Sequence, residues 1–398
     1  MKISERKRFT AAVAVALACI TAGCTQTLDG TLIASPAPKL DTGNFPTTPR
    51  KIGPPKTPAD AWAQESWRMA DGVVAPWSID PGLIHDVPGI LGQALVSPLQ
   101  IKPDYDGAPK LFTPEQAQTL TDGPFLGGFI ASAGDTRTAP TRTLSVGMLR
   151  FADPGTAGRA MDALSANTPA LPDGFPPIVG VKVLNTDATG AHAGLAVATI
   201  QGDLLLIART AGDSPTQVAD LAGKALAAQV DKTKDYHPTP YEGVPPLKVP
   251  MDSGGIVSRT LPNSQNSAGA GLGLSPDNYT AFGYLTPYAM ALASPNVGPV
   301  ALDDSRKYGV DLQVIGDFGL LFRTRDASAA LQMLKDRLPT VWQPIPNMSP
   351  DTARCRRNSF GAICGVAYGR YYSSIKSSSL PLAKKAAAAQ YLILKNAG

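Results

Sequence analysis

Four cysteines carry the clearest covalent chemistry in this chain of 398 residues: Cys19 and Cys24 near its start, Cys355 and Cys364 near its end. The late pair flanks the stretch RRNSFGAI. Eight residues between two cysteines place them opposite each other if Ser359-Phe360 is the tip of a hairpin, and cross-strand neighbours lie within disulfide reach. Outside the cytoplasm such a pair oxidises. A metal site needs further ligands, and no Cys-x-x-Cys or histidine pair lies nearby. A redox pair sits two residues apart at a helix start. The spacing therefore predicts a structural Cys355–Cys364 disulfide and leaves Cys24 for another use.

Other chemistry-bearing patterns are weaker. His85, His192 and His237 are scattered, with no second histidine at helical spacing, so no zinc-type pair forms. Ser373-Ser374-Ile375-Lys376 matches the Ser-x-x-Lys nucleophile motif, but it lies at a strand end rather than a helix start, and its companion motifs are absent. Gly269-Ala270-Gly271-Leu272-Gly273 neither follows a strand nor opens a helix, which reads as a loop. Asp104-Tyr105-Asp106-Gly107 starts like a calcium loop without the closing glutamate and reads as a turn. No catalytic, metal or cofactor site is expected, and the chain is not read as an enzyme. Tyr279, Phe282, Tyr284, Tyr288, Tyr368, Tyr371 and Tyr372 form the softer signal. Such rings suit a groove for lipid or glycan, and they equally suit packing between domains, which is the expected role.

The elements that position Cys24 are legible. Residues 2–8, KISERKR, are basic, and residues 9–23, FTAAVAVALACITAG, are apolar and small. That order is the grammar of a secretory signal. The run is shorter than the roughly 20 residues that span a bilayer as a helix. Ala22-Gly23-Cys24 resembles a lipobox, with Thr21 three positions before the cysteine, where a leucine is usual, and Ile20 just before it. Cys24 is the expected lipidation site, since two acyl chains anchor stably where one is marginal. The following Pro/Thr-rich stretch has too little apolar pattern to fold alone and reads as a tether.

Four segments follow: 1–23 a signal peptide, 24–56 the tether, 57–236 one α+β domain, and 237–398 a second that carries the disulfide hairpin. Thr57-Pro58-Ala59-Asp60 opens a helix with Trp62, Trp67 and Met69 as core candidates. Further helices start at Thr113, Asp153, Ser214, Asp326 and Pro381, and a short one covers Tyr288–Ala293. Strands are expected over 141–152, 177–185, 193–201, 204–210, 318–324, 353–358, 362–368 and from Tyr371. Each half thus reads β-α-β-β-β-α, with tight turns at Gly202-Asp203 and Gly369-Arg370. The expected fold is two similar ferredoxin-like units, antiparallel sheets with helices on one face.

Charge narrows the partners. The formal net charge is +4, and Lys2, Arg6, Lys7 and Arg8 against Glu5 supply most of it. A near-neutral body gives no argument for nucleic acid, which needs a dense cationic face.

With these features in place, RMADGVVAPWSIDPGL (Arg68–Leu83), the paired Cys355 and Cys364, and CGVAYGRYYSSI (Cys364–Ile375) carry a resemblance. The chain resembles the cell-envelope lipoproteins of mycobacteria, nocardiae and their actinobacterial relatives, over nearly its whole length. The resemblance implies a lipoprotein at the outer face of the cytoplasmic membrane and supplies no activity and no catalytic residues. Two roles are expected: a non-catalytic binding or scaffold protein, or a carrier or sensor of an amphiphilic envelope lipid or glycolipid. The expected partners are the membrane, through Cys24, and an envelope lipid or protein.

Overall fold

Capping and turn chemistry divide the body into its elements. The structure is a computed structural model that describes residues 39–87, 93–95, 98–101, 111–122, 125–189, 192–241, 248–261, 283–316, 318–339, 343–359 and 361–398. Cys24, the Gly269–Gly273 and Asp104–Gly107 motifs, Tyr279 and Phe282 lie outside the described residues. The first half contains α1 (Pro58–Met69), α2 (Pro76–Ile79), β1 (Gln93–Leu95), α3 (Pro114–Asp122), β2 (Phe125–Gly134), β3 (Thr143–Phe151), α4 (Pro154–Leu164), β4 (Lys182–Thr189), β5 (His192–Gln201), β6 (Leu204–Gly212) and α5 (Pro215–Thr233). The second contains β7 (Tyr284–Leu285), α6 (Pro287–Ala293), α7 (Gly298–Tyr308), β8 (Leu312–Gly316), β9 (Gly319–Arg323), α8 (Ala327–Arg337), β10 (Ala353–Asn358), β11 (Gly361–Tyr368), β12 (Tyr371–Ser377) and α9 (Leu380–Asn396).

The expected caps hold the helix starts. Thr57 and Asp60 exchange hydrogen bonds in a full capping box. Asp153, Ser214 and Asp326 each accept an amide of the first helical turn, and Ser379, which the sequence reading did not name, does the same for the last helix, expected to open at Pro381. Gly202 and Gly369 adopt positive φ, 64° and 52°, in the two-residue turns that join β5 to β6 and β11 to β12.

Two six-stranded antiparallel sheets result, ordered β1-β2-β3-β6-β5-β4 and β7-β8-β9-β12-β11-β10. Counted from the first strand of each half, the two orders are the same. The α+β class and the β-α-β-β-β-α order of each half stand as expected. Each sheet also gains two strands ahead of that unit, which the sequence reading did not place.

The expectation of helices on one face only is corrected. Phe129, Val146, Val197 and Leu206 face α5, while Ile130, Leu149, Leu205 and Ile207 face α3 and α4. In the second sheet Val314, Cys364, Val366 and Ile375 pack on α9, and Phe322, Ala367 and Tyr372 pack on α8. The reason lies in the strands themselves. TLSVGMLRF and LLLIARTAG carry apolar residues at successive positions, so both faces are apolar, and a bare face would forgo about 1.5–3 kcal/mol per exposed leucine.

Leu40–Gly398 form one compact unit. Residues 40–56, expected as part of a free tether, pack against the second sheet instead. Phe45 is buried edge-on against Phe318, with ring centroids 5.1 Å apart, and the Thr47 carbonyl accepts from Asn396. Leu40 and Ile52 supply apolar cover on the same core. These three apolar side chains, dispersed among prolines, offset the ordering of the segment without any periodic pattern to announce it.

Candidate functional site

Helix α1 is buried almost all round, and that forces its polar side chains to find partners. Gln64 donates from Nε2 to the Tyr284 carbonyl at 2.9 Å, and Ser66 donates to the Leu95 carbonyl at 2.9 Å. Glu65, fully buried, is the centre of the densest polar cluster among the described residues. Its Oε2 accepts from Arg68 at 2.6 Å and from the Thr239 hydroxyl at 2.7 Å. Its Oε1 accepts from the Thr239 amide at 2.8 Å, from Arg150 Nη1 at 3.2 Å and from the Tyr236 hydroxyl at 3.2 Å. Arg68 also donates to the Thr239 hydroxyl. Arg150, only 2% exposed, reaches Asp203 with Nε at 3.1 Å.

The electrostatics follow from burial and pairing. Burial pushes the Tyr236 hydroxyl well above its ordinary range, and the Glu65 carboxylate pushes the same way. Burial by itself pulls Arg68 down, but Glu65 beside it outweighs that and its pKa is raised. Every lone-pair direction of the carboxylate is used and solvent is excluded. The cluster is a buried ionic latch between α1, β3 and the segment after α5.

A second cluster lies one turn beyond. Thr286, the N-cap of α6, donates to Asp71. Burial raises Asp71, with Thr286 and Lys232 opposing. Lys232 sits 4.3 Å over the Tyr288 ring and is lowered by burial. Tyr288 donates to the Val73 carbonyl at 2.8 Å, and burial pushes it up to about 12. This cluster docks α6 onto the first sheet's core. Sequence reading missed both clusters. The available signal was a charged Glu65 between Trp62 and Trp67, inside a helix whose apolar residues point several ways.

The disulfide stands as expected. Cys355 and Cys364 face each other directly across β10 and β11, Cα atoms 4.0 Å apart, and are bonded. Asn358 pairs with Gly361, and the expected hairpin tip at Ser359-Phe360 lies partly outside the described residues. Closing so short a loop contributes about 2–3 kcal/mol in the chain-entropy model. The double variant Cys355→Ala/Cys364→Ala is expected to lose that amount, read as a lower urea midpoint at unchanged slope. A loss below about 1 kcal/mol would mean that the hairpin holds itself without the bond.

The structure does not bring the other candidates together. Ser373 is buried and donates to the Leu320 carbonyl, while Lys376, three residues along the same strand, points to the opposite face and solvent. A serine–lysine dyad is therefore not assembled. His85 exchanges backbone hydrogen bonds with Gly134, and His192 lies 3.5 Å from Asp213 on the exposed surface. Of the described aromatics, Tyr372 stacks on Phe322, Tyr368 meets Tyr391 edge-on, and Tyr284 is buried beside α1. Crevices of about 680 Å³, between Pro172–Pro176 and α5, and about 390 Å³, between α3, α4 and β4, are lined by other residues. No helix among the described residues is long and apolar enough to cross a membrane.

Comparisons complete the description. A family model described as Domain of unknown function (DUF7373) N-terminal matches residues 52–249, and one described as Domain of unknown function (DUF7373) C-terminal matches residues 256–397. No curated protein matches the chain. Among solved structures, the extracellular domain of PknH from Mycobacterium tuberculosis is similar at 5% identity and a TM-score of 0.23, over 42% of this chain and 96% of that one. At that score the likeness carries no argument.

Proposed function

We infer that this chain, which belongs to the DUF7373 family, is an extracytoplasmic lipoprotein held to the membrane by lipid on Cys24, with a non-catalytic binding or scaffold role in the cell envelope. The observation that supports it is the division of labour among the cysteines. Cys355 and Cys364 close a buried disulfide, which belongs to an oxidising compartment, and Cys24 ends a signal-like apolar run with only small residues before it. The most densely wired polar site, around Glu65, is sealed, which supports a role in holding shape rather than in turnover.

The test is acylation in a bacterial host with lipoprotein machinery. Wild-type chain is expected to take up an alkyne palmitate label, to partition with membranes, and to begin at an acylated Cys24 by mass spectrometry. Cys24→Ala is expected to lose the label and the membrane partition together. An unlabelled wild-type chain in the soluble fraction would sink the proposal.

A further inference from the structure

The last part of the chain departs from the near-neutral average. From Thr352 to Gly398 there is no Asp or Glu, against eight Lys or Arg. Elsewhere in the body cations meet carboxylates, as in Arg142–Asp80, Arg209–Asp187 and Arg337–Asp304. Arg356, Arg357 and Lys376 are exposed and form no ion pair with a carboxylate among the described residues, unlike Arg354 and Arg370 beside them.

The fold brings them to one end of the second sheet, Arg356 and Lys376 on its α8 face and Arg357 on its α9 face. Arg356 pairs in register with Ile363, and Ile363 with Lys376. The disulfide lies one residue before Arg356 and fixes the hairpin that carries it. The chain then turns through Ser377–Ser379 into α9, whose first turns carry exposed Leu382 and half-buried Lys384 and Lys385. The N-terminus of this 17-residue helix adds positive potential at the same end. Edge strands often carry Lys or Arg to block pairing with other sheets. That reason covers Arg356 and Arg357 on β10. It does not cover Lys376, on a strand paired on both sides, or Lys384 on a helix.

The entry point of the chain coincides with this end. Asp41 pairs with Lys385 at 3.5 Å, and Phe45 packs on Phe318, whose carbonyl accepts the Lys376 amide. Leu40 follows Cys24 by 16 positions, a reach of at most about 55 Å.

We propose that Arg356, Arg357, Lys376 and Lys384 form a docking surface for anionic lipid headgroups of the bilayer. The proposal rests on the lipid-anchor reading, in which the chain enters the body at this end. Each cation at an anionic surface strengthens association about fivefold, and salt screens the effect. The anchor then limits distance, while the basic end sets which face the body turns outward.

The experiment uses the full acylated chain on vesicles of phosphatidylcholine, with or without abundant phosphatidylglycerol. Acetylation of Lys376 and Lys384 is read by mass spectrometry against Lys224 on α5, which is exposed and distant in the sequence. On anionic vesicles their labelling is expected to fall at least about threefold, and to recover at high salt or in Arg356→Ala/Arg357→Ala. Equal labelling on both vesicles overturns the docking surface. A chain that fails to float with neutral vesicles overturns the anchor instead, so the two failures are distinguishable. Equal protection by duplex DNA without vesicles would overturn the assignment to lipid.

Discussion

Glu65→Ala is expected to lower the stability of the body by about 3–5 kcal/mol. The cost does not come from losing an attraction in water. It comes from leaving Arg150, 2% exposed, charged in the interior with only Asp203 beside it. The Thr239 amide loses its acceptor at the same time, and an orphaned buried amide adds about 1–3 kcal/mol. Arg68 is about a third exposed along its side chain and can turn to solvent, so it contributes little to the penalty. Glu65→Gln keeps one carbonyl acceptor for Thr239 and should lose less. Arg150→Met in the Glu65→Ala background removes the stranded charge and is expected to recover part of the loss, the signature of a coupled pair. Urea midpoints of wild type, Glu65→Ala, Arg150→Met and the double variant give the cycle. If Glu65→Ala stays within about 1 kcal/mol of wild type, the cluster is a bystander and the latch interpretation fails.

What was legible in the sequence was local. Thr57, Asp153, Ser214 and Asp326 each announce a helix because their side chains satisfy amides within three residues. Gly202 and Gly369 announce hairpins because the turn demands a positive φ. The Cys355–Cys364 pair is legible because eight intervening residues suit a hairpin that sets the two cysteines opposite each other, the register the strands adopt. The missed elements have weak local signals. Strand β2, FLGGFIASAG, is half glycine and alanine, and its order comes from pairing with β1 and β3 rather than from propensity. Strand β8 has five residues, and α7 begins at Gly298 with no side-chain cap. The Glu65 cluster joins positions 85 to 174 residues apart, which no spacing rule reaches. Cover on both sheet faces is readable from the continuous apolar runs of β3 and β6, which leave neither face polar.

The second large effect concerns the halves. Residues 57–236 expressed alone are expected not to fold cooperatively, although they contain the whole first sheet. Leu285, Ala289 and Leu292, from β7 and α6, complete the core on its α5 face. Burial of each leucine is worth about 1.5–3 kcal/mol, so their removal takes away much of a typical domain's stability. Thr239, which gives Glu65 two of its hydrogen bonds, and the Tyr284 carbonyl that receives Gln64 go with them. In the other direction, Ala63 of α1 and Phe45 belong to the core of the second sheet. The halves share a strand order but not a boundary, because each lends a segment to the other. The intact chain should therefore unfold in one urea transition, coincident by tryptophan fluorescence and far-ultraviolet circular dichroism. The fragment should show secondary structure without a sharp transition. Two separated transitions in the intact chain, or a cooperative fragment, would show that the crossing segments decorate two independent domains. One transition would make the hairpin end and the Glu65 latch parts of a single cooperative unit, with the crossing segments as the reason.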